Sequence, residues 1–447
     1  MLEFINTNII SVITPIMLLL SGLYFSFKLN FFYLRHPLKI LRSMLTRQKK
    51  GGISPFRAVT LALAGTLGVG NIAGVASSIA IGGFGSVFWM WVSALVAMVL
   101  KYAEIVLAIA HRRIDGDRYR GGASYYIYDR FAMTGKKSFG KILAALFALL
   151  CVINAITMGG IIQSNAVSTS FHGVWQLSPT VVGAAVAILC AIVSSGNAKW
   201  VSAFSEKTVP LMTLGYILLS VAVLTLRREL IGDAFKAIFH DAFSADSAAG
   251  GVLGFLISRG MRAGCMRGLM SNEAGCGTAP TAHAAAECDS PAAQGFWGIF
   301  EVFVDTILLC TLTALVIIVA ILGGGAPQIL AFAENPMMMA IKSYSIVLGT
   351  WSEAYMAISV FLFAFATIVC WAHYGKESIV YLTNKKLPLT LYLILFSLFV
   401  FLGALSAPKI AWLSADLALG IMTIINLAVI FSMSGEVKKE TDEFFKF

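Results

Sequence analysis

Amide and hydroxyl side chains are costly in an apolar helix, because lipid offers them no hydrogen-bond partners. Two stretches of this chain place such side chains among helix-weakening glycines. The first is GTLGVGNIAG, with Gly65, Gly68, Gly70 and Gly74 around Thr66 and Asn71. The second is AGCMRGLMSNEAGCGTAP, with Gly264, Gly268, Gly275 and Gly277 around Ser271, Asn272, Glu273 and Thr278, closed by Pro280. Glycine and proline both disfavour a continuous helix. An interrupted helix exposes N–H groups where one half starts and C=O groups where the other half ends. The former suit a carboxylate, and the latter suit an alkali cation or an ammonium group. Sodium prefers hard oxygen ligands, by the logic that governs other hard cations. Thr66, Asn71, Ser271, Asn272 and Thr278 supply such oxygens at the two breaks. Glycines can equally serve close packing between membrane helices. Two matched breaks, each with a central Asn, favour a binding site.

Further polar residues lie in other apolar runs. Gln163 and Asn165 occur in MGGIIQSNAVS, where an amide either bonds to a neighbouring helix or touches a substrate. Thr367 and Trp371 are four apart and share a helix face. Thr367 adds a hydroxyl to the cation candidates, and Trp371 could cover an apolar substrate group or simply pack. Lys101 and Glu104 are three apart and could pair. Glu301 and Asp305 are four apart, and Asp305 falls about 18 Å along its run at ~1.5 Å per residue. A carboxylate at that depth neutralises a cation, relays protons, or acts as a gate or ion pair, with Arg262 or Arg267 as partner. Glu273, beside the second break, is expected to hold it open by accepting backbone N–H bonds, as a gate or ion-pair residue.

These residues need apolar helices to position them. The 447 residues are 58% hydrophobic and 13% charged, about half the usual ~25% charge, with a mean hydropathy of +0.83. The apolar runs are continuous and near the ~20 residues that cross a bilayer, so the fold class is an all-α integral membrane protein. About eleven spans are expected: 8–27, 57–83, 85–111, 140–171, 179–196, 207–226, an irregular one within 250–286, 293–322, 352–382, 387–404 and 411–434. The net charge of +10 does not indicate nucleic acid, because the basic residues cluster between apolar runs. The seven cysteines form no CxxC pair and suit a small-core role. Met1 is followed by Glu3, which does not suit a secretory signal, so the first run is expected to stay as a helix. No His-based metal spacing and no Ser/His/Asp signature supports an enzyme. The glycine-rich 68–74 segment lacks the strand that a nucleotide loop needs. A channel would need a filter or ring-forming repeat.

Lys28, Arg35, Lys39, Arg42, Arg47, Lys49, Lys50 and Arg57 follow the first run without an acid among them, and Arg112 to Lys137 carry a second basic cluster. Basic short loops stay in the cytoplasm, which places the N-terminus outside and the C-terminus inside, in a plasma membrane such as a bacterial inner membrane. Arg227 and Arg228 fall on the wrong side of this scheme. With the first span set aside, each break begins a set of five spans. Five is odd, so the sets insert with opposite orientation. The expected organisation is an extra helix and basic loop over 1–56, a first five-helix repeat over 57–230, and a second, inverted repeat over 231–447.

The stretch GVGNIAGVASSIAIGGFGSVFWMWVSALVAMVLKYAE resembles the alanine or glycine:cation symporter family, also called the sodium:alanine symporter family. SNEAGCGTAPTAHAAA, EVFVDTILLCTLTAL and WAHYGKE are similar to further motifs of that family, and the resemblance runs from about Pro55 to Ser434. It implies two inverted five-helix repeats of the LeuT-like kind after one extra helix. It implies symport of a small neutral amino acid, alanine or glycine, with sodium or less often a proton, and no cofactor beyond that ion. Through it, Gly70, Asn71, Gln163 and Trp371 become substrate-site candidates, with Cys276 and Thr278 completing the pocket. Val69 stands where the family has Thr, Gly160 where it often has Asn, and GGASYYI replaces GGPMYYI. Asp289-Ser290-Pro291 stands where the family reads DHP.

Overall fold

Backbone groups in an apolar run must bond within the run, so each becomes a helix. The computed structural model describes residues 6, 10–45, 53–116, 118–196, 198–243, 259–383, 385–406 and 408–446. In chain order the helices are α1 Ser11–Lys28, α2 Phe32–Arg35, α3 Pro37–Leu45, α4 Pro55–Thr66, α5 Ala73–Gly82, α6 Gly85–Ala110 and α7 Ala123–Met133. Next come α8 Lys137–Trp175, α9 Pro179–Ser194, α10 Ala198–Leu226, α11 Arg228–Ala242, α12 Arg259–Asn272 and α13 Pro280–His283. Then follow α14 Pro291–Leu330, α15 Pro336–Leu348, α16 Trp351–Leu382, α17 Lys386–Leu405, α18 Pro408–Ser432 and α19 Ser434–Phe445. Among the described residues eight helices are long and apolar enough to cross a membrane, and α5, α9 and α15 are shorter apolar helices. A small antiparallel hairpin, Arg113–Asp115 with Arg118–Arg120, follows α6.

Local sequence explains several starts. Ser54, Ser290 and Asn335 each precede a proline, and each side chain accepts a backbone N–H from the first turn of α4, α14 or α15. Proline at the first helical position loses no bond there. Four helices that read as connections in the sequence, α7, α11, α15 and α19, are short or amphipathic, and their polar faces mask the helical period.

The element that positions the site is α6. It is buried along nearly its whole length and packs against α1, α12 and the first part of α14. The half-helix α4 packs against α10 and α16, and α5 packs against α12 and α15. Both α8 and α14 contain wide π-helical turns, at Ala155–Ile162 and Phe303–Cys310. Such turns often mark functional sites. At the end that carries the basic loops, His111 follows α6. Its Nδ1 lies 2.8 Å from Asp129 of α7 and its Nε2 lies 2.9 Å from Glu436 of α19. Burial pushes the imidazole pKa down, but the hydrogen bonds and charges of the two carboxylates outweigh it and hold the value above that of ordinary histidine.

Candidate functional site

Neither glycine-rich stretch is a continuous helix. At the first break α4 ends at Thr66, Val69–Asn71 form one tight 3₁₀ turn, and α5 restarts at Ala73. The Asn71 side chain closes this turn, its Oδ1 accepting the Gly68 N–H at 3.1 Å. Gln163 on α8 accepts the Val69 N–H at 3.1 Å. Thr367 on α16 donates to the Ala64 carbonyl at 2.9 Å and lies 3.4 Å from that of Leu67. A Cβ on Gly68 would stand 2.6 Å from Thr367 Oγ1 and 3.0 Å from Gln163 Oε1, so glycine is what allows both helices to reach the turn. Thr66 bonds back to its own helix, at Ala62.

At the second break α12 ends at Asn272 and α13 starts at Pro280. Between them Glu273, Gly275 and Gly277 hold φ of 52°, 83° and 80°, a region that favours glycine. Glu273 does not accept backbone N–H groups as expected; its Oε2 accepts the Thr278 hydroxyl at 2.7 Å. Glu104 fills that role from α6, accepting the Gly277 N–H at 2.7 Å. Asn426 on α18 donates to Glu104 and to the Gly275 carbonyl. Lys101 does not pair with Glu104. Its ammonium donates to the Asn272 carbonyl at 2.7 Å and lies 3.2 Å from Glu301, which also faces His283. Lys101, Glu104, Glu273 and Glu301 have no exposure.

The two breaks meet at Asp305. Asn71 Nδ2 donates to Asp305 Oδ1 at 2.8 Å and lies 3.0 Å from Ser271 Oγ. Ser271 and Thr306 both donate to Asp305 Oδ2 at 2.7 Å. Thr313, one face further along α14, donates to the Asn71 carbonyl at 2.8 Å. Asp305 therefore bonds to neutral groups of both breaks rather than to Arg262 or Arg267. The Asp305 carboxylate with the Ser271 and Thr306 hydroxyls is a hard oxygen set of the kind that binds small cations, while Asn71 presents its amide N–H groups to it and keeps its oxygen on Gly68.

Asn71, Gln163, Thr367, Ser271 and Asp305 thus come together. Trp371 is buried one turn beyond Thr367, packed on Gly159 of α8, and its indole Nε1 has no hydrogen-bond partner among the described residues. Gly70 abuts the Ser271 backbone. Cys276 and Thr278 lie instead on the far side of the second break, where Cys276 accepts from Thr423. A cavity of about 630 Å³ reaches Val69 and Ala73 but stops there. Thr306, the residue after Asp305, Thr313, eight residues on along the same apolar run, and Asn426, a lone amide in the last span, also contribute polar groups here, although none stood out in the sequence pattern.

Residues 1–447 match the sodium:alanine symporter family. The chain belongs to that family. It is 34% identical over 434 residues to the sodium/alanine symporter AgcS of Methanococcus maripaludis, covering 96% of this chain and 93% of that one. It is 32% identical to the probable sodium/glutamine symporter GlnT of Bacillus subtilis, covering 94% and 85%. Among solved structures, MhsT in complex with L-phenylalanine aligns with a TM-score of 0.53 at 16% identity, covering 86% of this chain and 90% of MhsT. This likeness shows the LeuT-like fold. The protein is therefore a membrane transporter of the sodium:alanine symporter family with that helical architecture.

Proposed function

We propose that the chain carries a small neutral amino acid such as alanine or glycine by alternating access, driven by sodium. The observation that supports this most is the junction at Asp305, where Asn71 of one break and Ser271 of the other bond to a single carboxylate. A cation held by Asp305, Ser271 and Thr306, joined by the Asn71 oxygen once its amide turns from Gly68, draws both breaks together. Thr66, Thr278 and Thr367 are further candidate oxygens from the sequence, of which Thr367 bonds to the backbone that leads into the first turn. The substrate carboxylate takes the Gly70 N–H and displaces Gln163 from that of Val69, with Gln163 and Trp371 beside it and Cys276 behind the second break. Cation binding orders the breaks and raises amino-acid affinity, and by linkage the amino acid raises cation affinity by the same factor.

Eleven spans arranged as two inverted five-helix repeats after one extra helix, with limits near residues 56 and 230, complete the proposal. The N-terminus lies outside and the C-terminus in the cytoplasm of a plasma membrane, a bacterial inner membrane. The test is uptake of radiolabelled alanine and glycine into proteoliposomes under separate sodium and proton gradients. Uptake that follows the sodium gradient is the expected result, and indifference to both gradients rules out coupling. Proton coupling is a second reading. It is favoured by Glu104 and Glu273, each buried with one carboxylate oxygen lacking a hydrogen-bond partner among the described residues.

A further inference from the structure

Past α1 the chain turns through Asn30 and Phe31, both at positive φ, and enters α2 and α3. One face of α3 meets the protein, where Ile40 is buried and Met44 packs on the core. Leu38, Leu41 and Leu45 follow each other at spacings of three and four residues, so they form one row on a helix face. They are 80%, 50% and 76% exposed. Leu34 on α2 is exposed as well. The short helix α3 is therefore apolar on two faces, one packed inward and one turned out. Arg35, Lys39 and Arg42, all exposed, lie beside the outward row. No Asp or Glu occurs between Lys28 and Arg57.

A leucine row is unfavourable in water. On the membrane-spanning helix α1 the comparable exposed row, Ile13, Leu20, Leu23 and Phe27, is covered by lipid. An apolar row edged with cations, on a helix that follows directly after a span, suits the plane of the membrane surface. Its leucines then enter the acyl layer and its arginines stay at headgroup level. Positive charge without an acid selects anionic headgroups over zwitterionic ones. A second copy of the chain fits this face poorly. A two-fold contact would set the arginines of one α3 against those of the other, with no acid of this segment between them.

The same segment is tied to the C-terminal helix. Lys39 donates to the Phe445 carbonyl at 3.4 Å, and its ammonium lies 4.8 Å from the centre of that ring. Phe32 of α2 is buried against Tyr102, Phe296 and Phe445. Tyr102 of α6 and Thr441 of α19 share a hydrogen bond of 2.8 Å. We propose that α3 is a lipid-binding helix. Leu38, Leu41 and Leu45 enter the acyl layer on the side of the basic loops, and Arg35 and Arg42 bind the phosphates of anionic phospholipid. Through Lys39 this contact steadies α19 against α6. The inference does not depend on which solute the chain carries.

The test places the full-length chain in nanodiscs of phosphatidylcholine, with or without phosphatidylglycerol, and follows amide hydrogen exchange by mass spectrometry. Amides of α3 and α19 are expected to exchange roughly fivefold more slowly when phosphatidylglycerol is present. The difference is expected to vanish in the double variant Arg35→Gln, Arg42→Gln and to persist in Arg35→Lys, Arg42→Lys. It shrinks when the salt concentration is raised roughly tenfold. The triple variant Leu38→Asn, Leu41→Asn, Leu45→Asn is expected to exchange fast at α3 in both discs. Equal exchange of the wild type in both discs overturns the inference, and so does a lipid response that the glutamine variant keeps. A response confined to α3 overturns the link to α19. If the wild type is a dimer by light scattering and the leucine variant a monomer, the row belongs to a second copy and the inference falls. Should the leucine variant fail to fold, the wild type and the arginine variants decide.

Discussion

At the first break the loosened backbone is met by neutral partners, the Gln163 amide, the Thr367 hydroxyl and the turn's own Asn71. At the second it is met by charge, the Lys101 ammonium on the Asn272 carbonyl and the Glu104 carboxylate on the Gly277 N–H. The first break adjoins a cavity of about 630 Å³, whereas at the second a small pocket of about 20 Å³ reaches Gly277. Neutral bonds of ~1 kcal/mol exchange readily for bonds to a ligand. A buried charge network is costly to open. Under the transport function proposed above, this difference suits the first break to ligand exchange and the second to anchoring, with Asp305 joining them.

The largest expected effect is on the anchor. Lys101→Met leaves Glu301 without its buried ion-pair partner and the Asn272 carbonyl without its donor, a loss of roughly 3–5 kcal/mol. The protein is expected to be recovered unfolded or in trace yield by size-exclusion chromatography. A monodisperse variant that melts like wild type would break the contrast. Asn71→Ala is the corresponding test of the exchange side. Alanine uptake is expected to fall roughly 100-fold, from ~3 kcal/mol of lost bonds to a carboxylate and a backbone turn, while the melting temperature stays within a few degrees of wild type. Gly68→Ala pushes Thr367 and Gln163 away from the turn. A roughly tenfold rise in uptake KM is expected, from ~1.4 kcal/mol of displaced contacts. Thr367→Val removes one hydroxyl bond, and the sodium concentration for half-maximal uptake should rise roughly fivefold, about 1 kcal/mol. An unaltered sodium dependence would remove Thr367 from the exchange side.

The smallest effect concerns the far end of the anchoring helix α6. The raised His111 pKa means that its ion pairs with Asp129 and Glu436 stabilise fully below the unfolded value of about 6.5. That contribution is lost as pH rises through the higher folded value. Arg113 also pairs with Asp129 and keeps part of the cluster at high pH. His111→Gln should flatten the dependence of melting temperature on pH across this window by about 2 °C. A profile identical to wild type would show that the cluster does not depend on histidine protonation.

Much of the architecture was legible because lipid imposes a simple rule. Continuous apolar length forces helices, and matched glycines mark where they break. Both breaks occur at the expected residues, and Asn71 and Gln163 meet at the first. The partners within the second break were less legible. Lys101 and Glu104 lie three apart on one helix, yet their nearest opposite groups come from α12, α14 and α18. Glu273 was expected to cap the break because it lies beside it in sequence. Its positive φ and the Thr278 hydroxyl direct its carboxylate elsewhere, and Glu104 caps the break from across the bundle.

Sequence by itself determined that this chain is an all-helical membrane protein with two interrupted helices, because backbone hydrogen bonding in an apolar medium leaves few alternatives. Only tertiary structure decided that Asp305 joins the two breaks and that Lys101 stands on the second. Those pairings join residues tens to hundreds of positions apart. Spacing along one helix shows which side chains share a face, whereas the packing of neighbouring helices sets what that face meets.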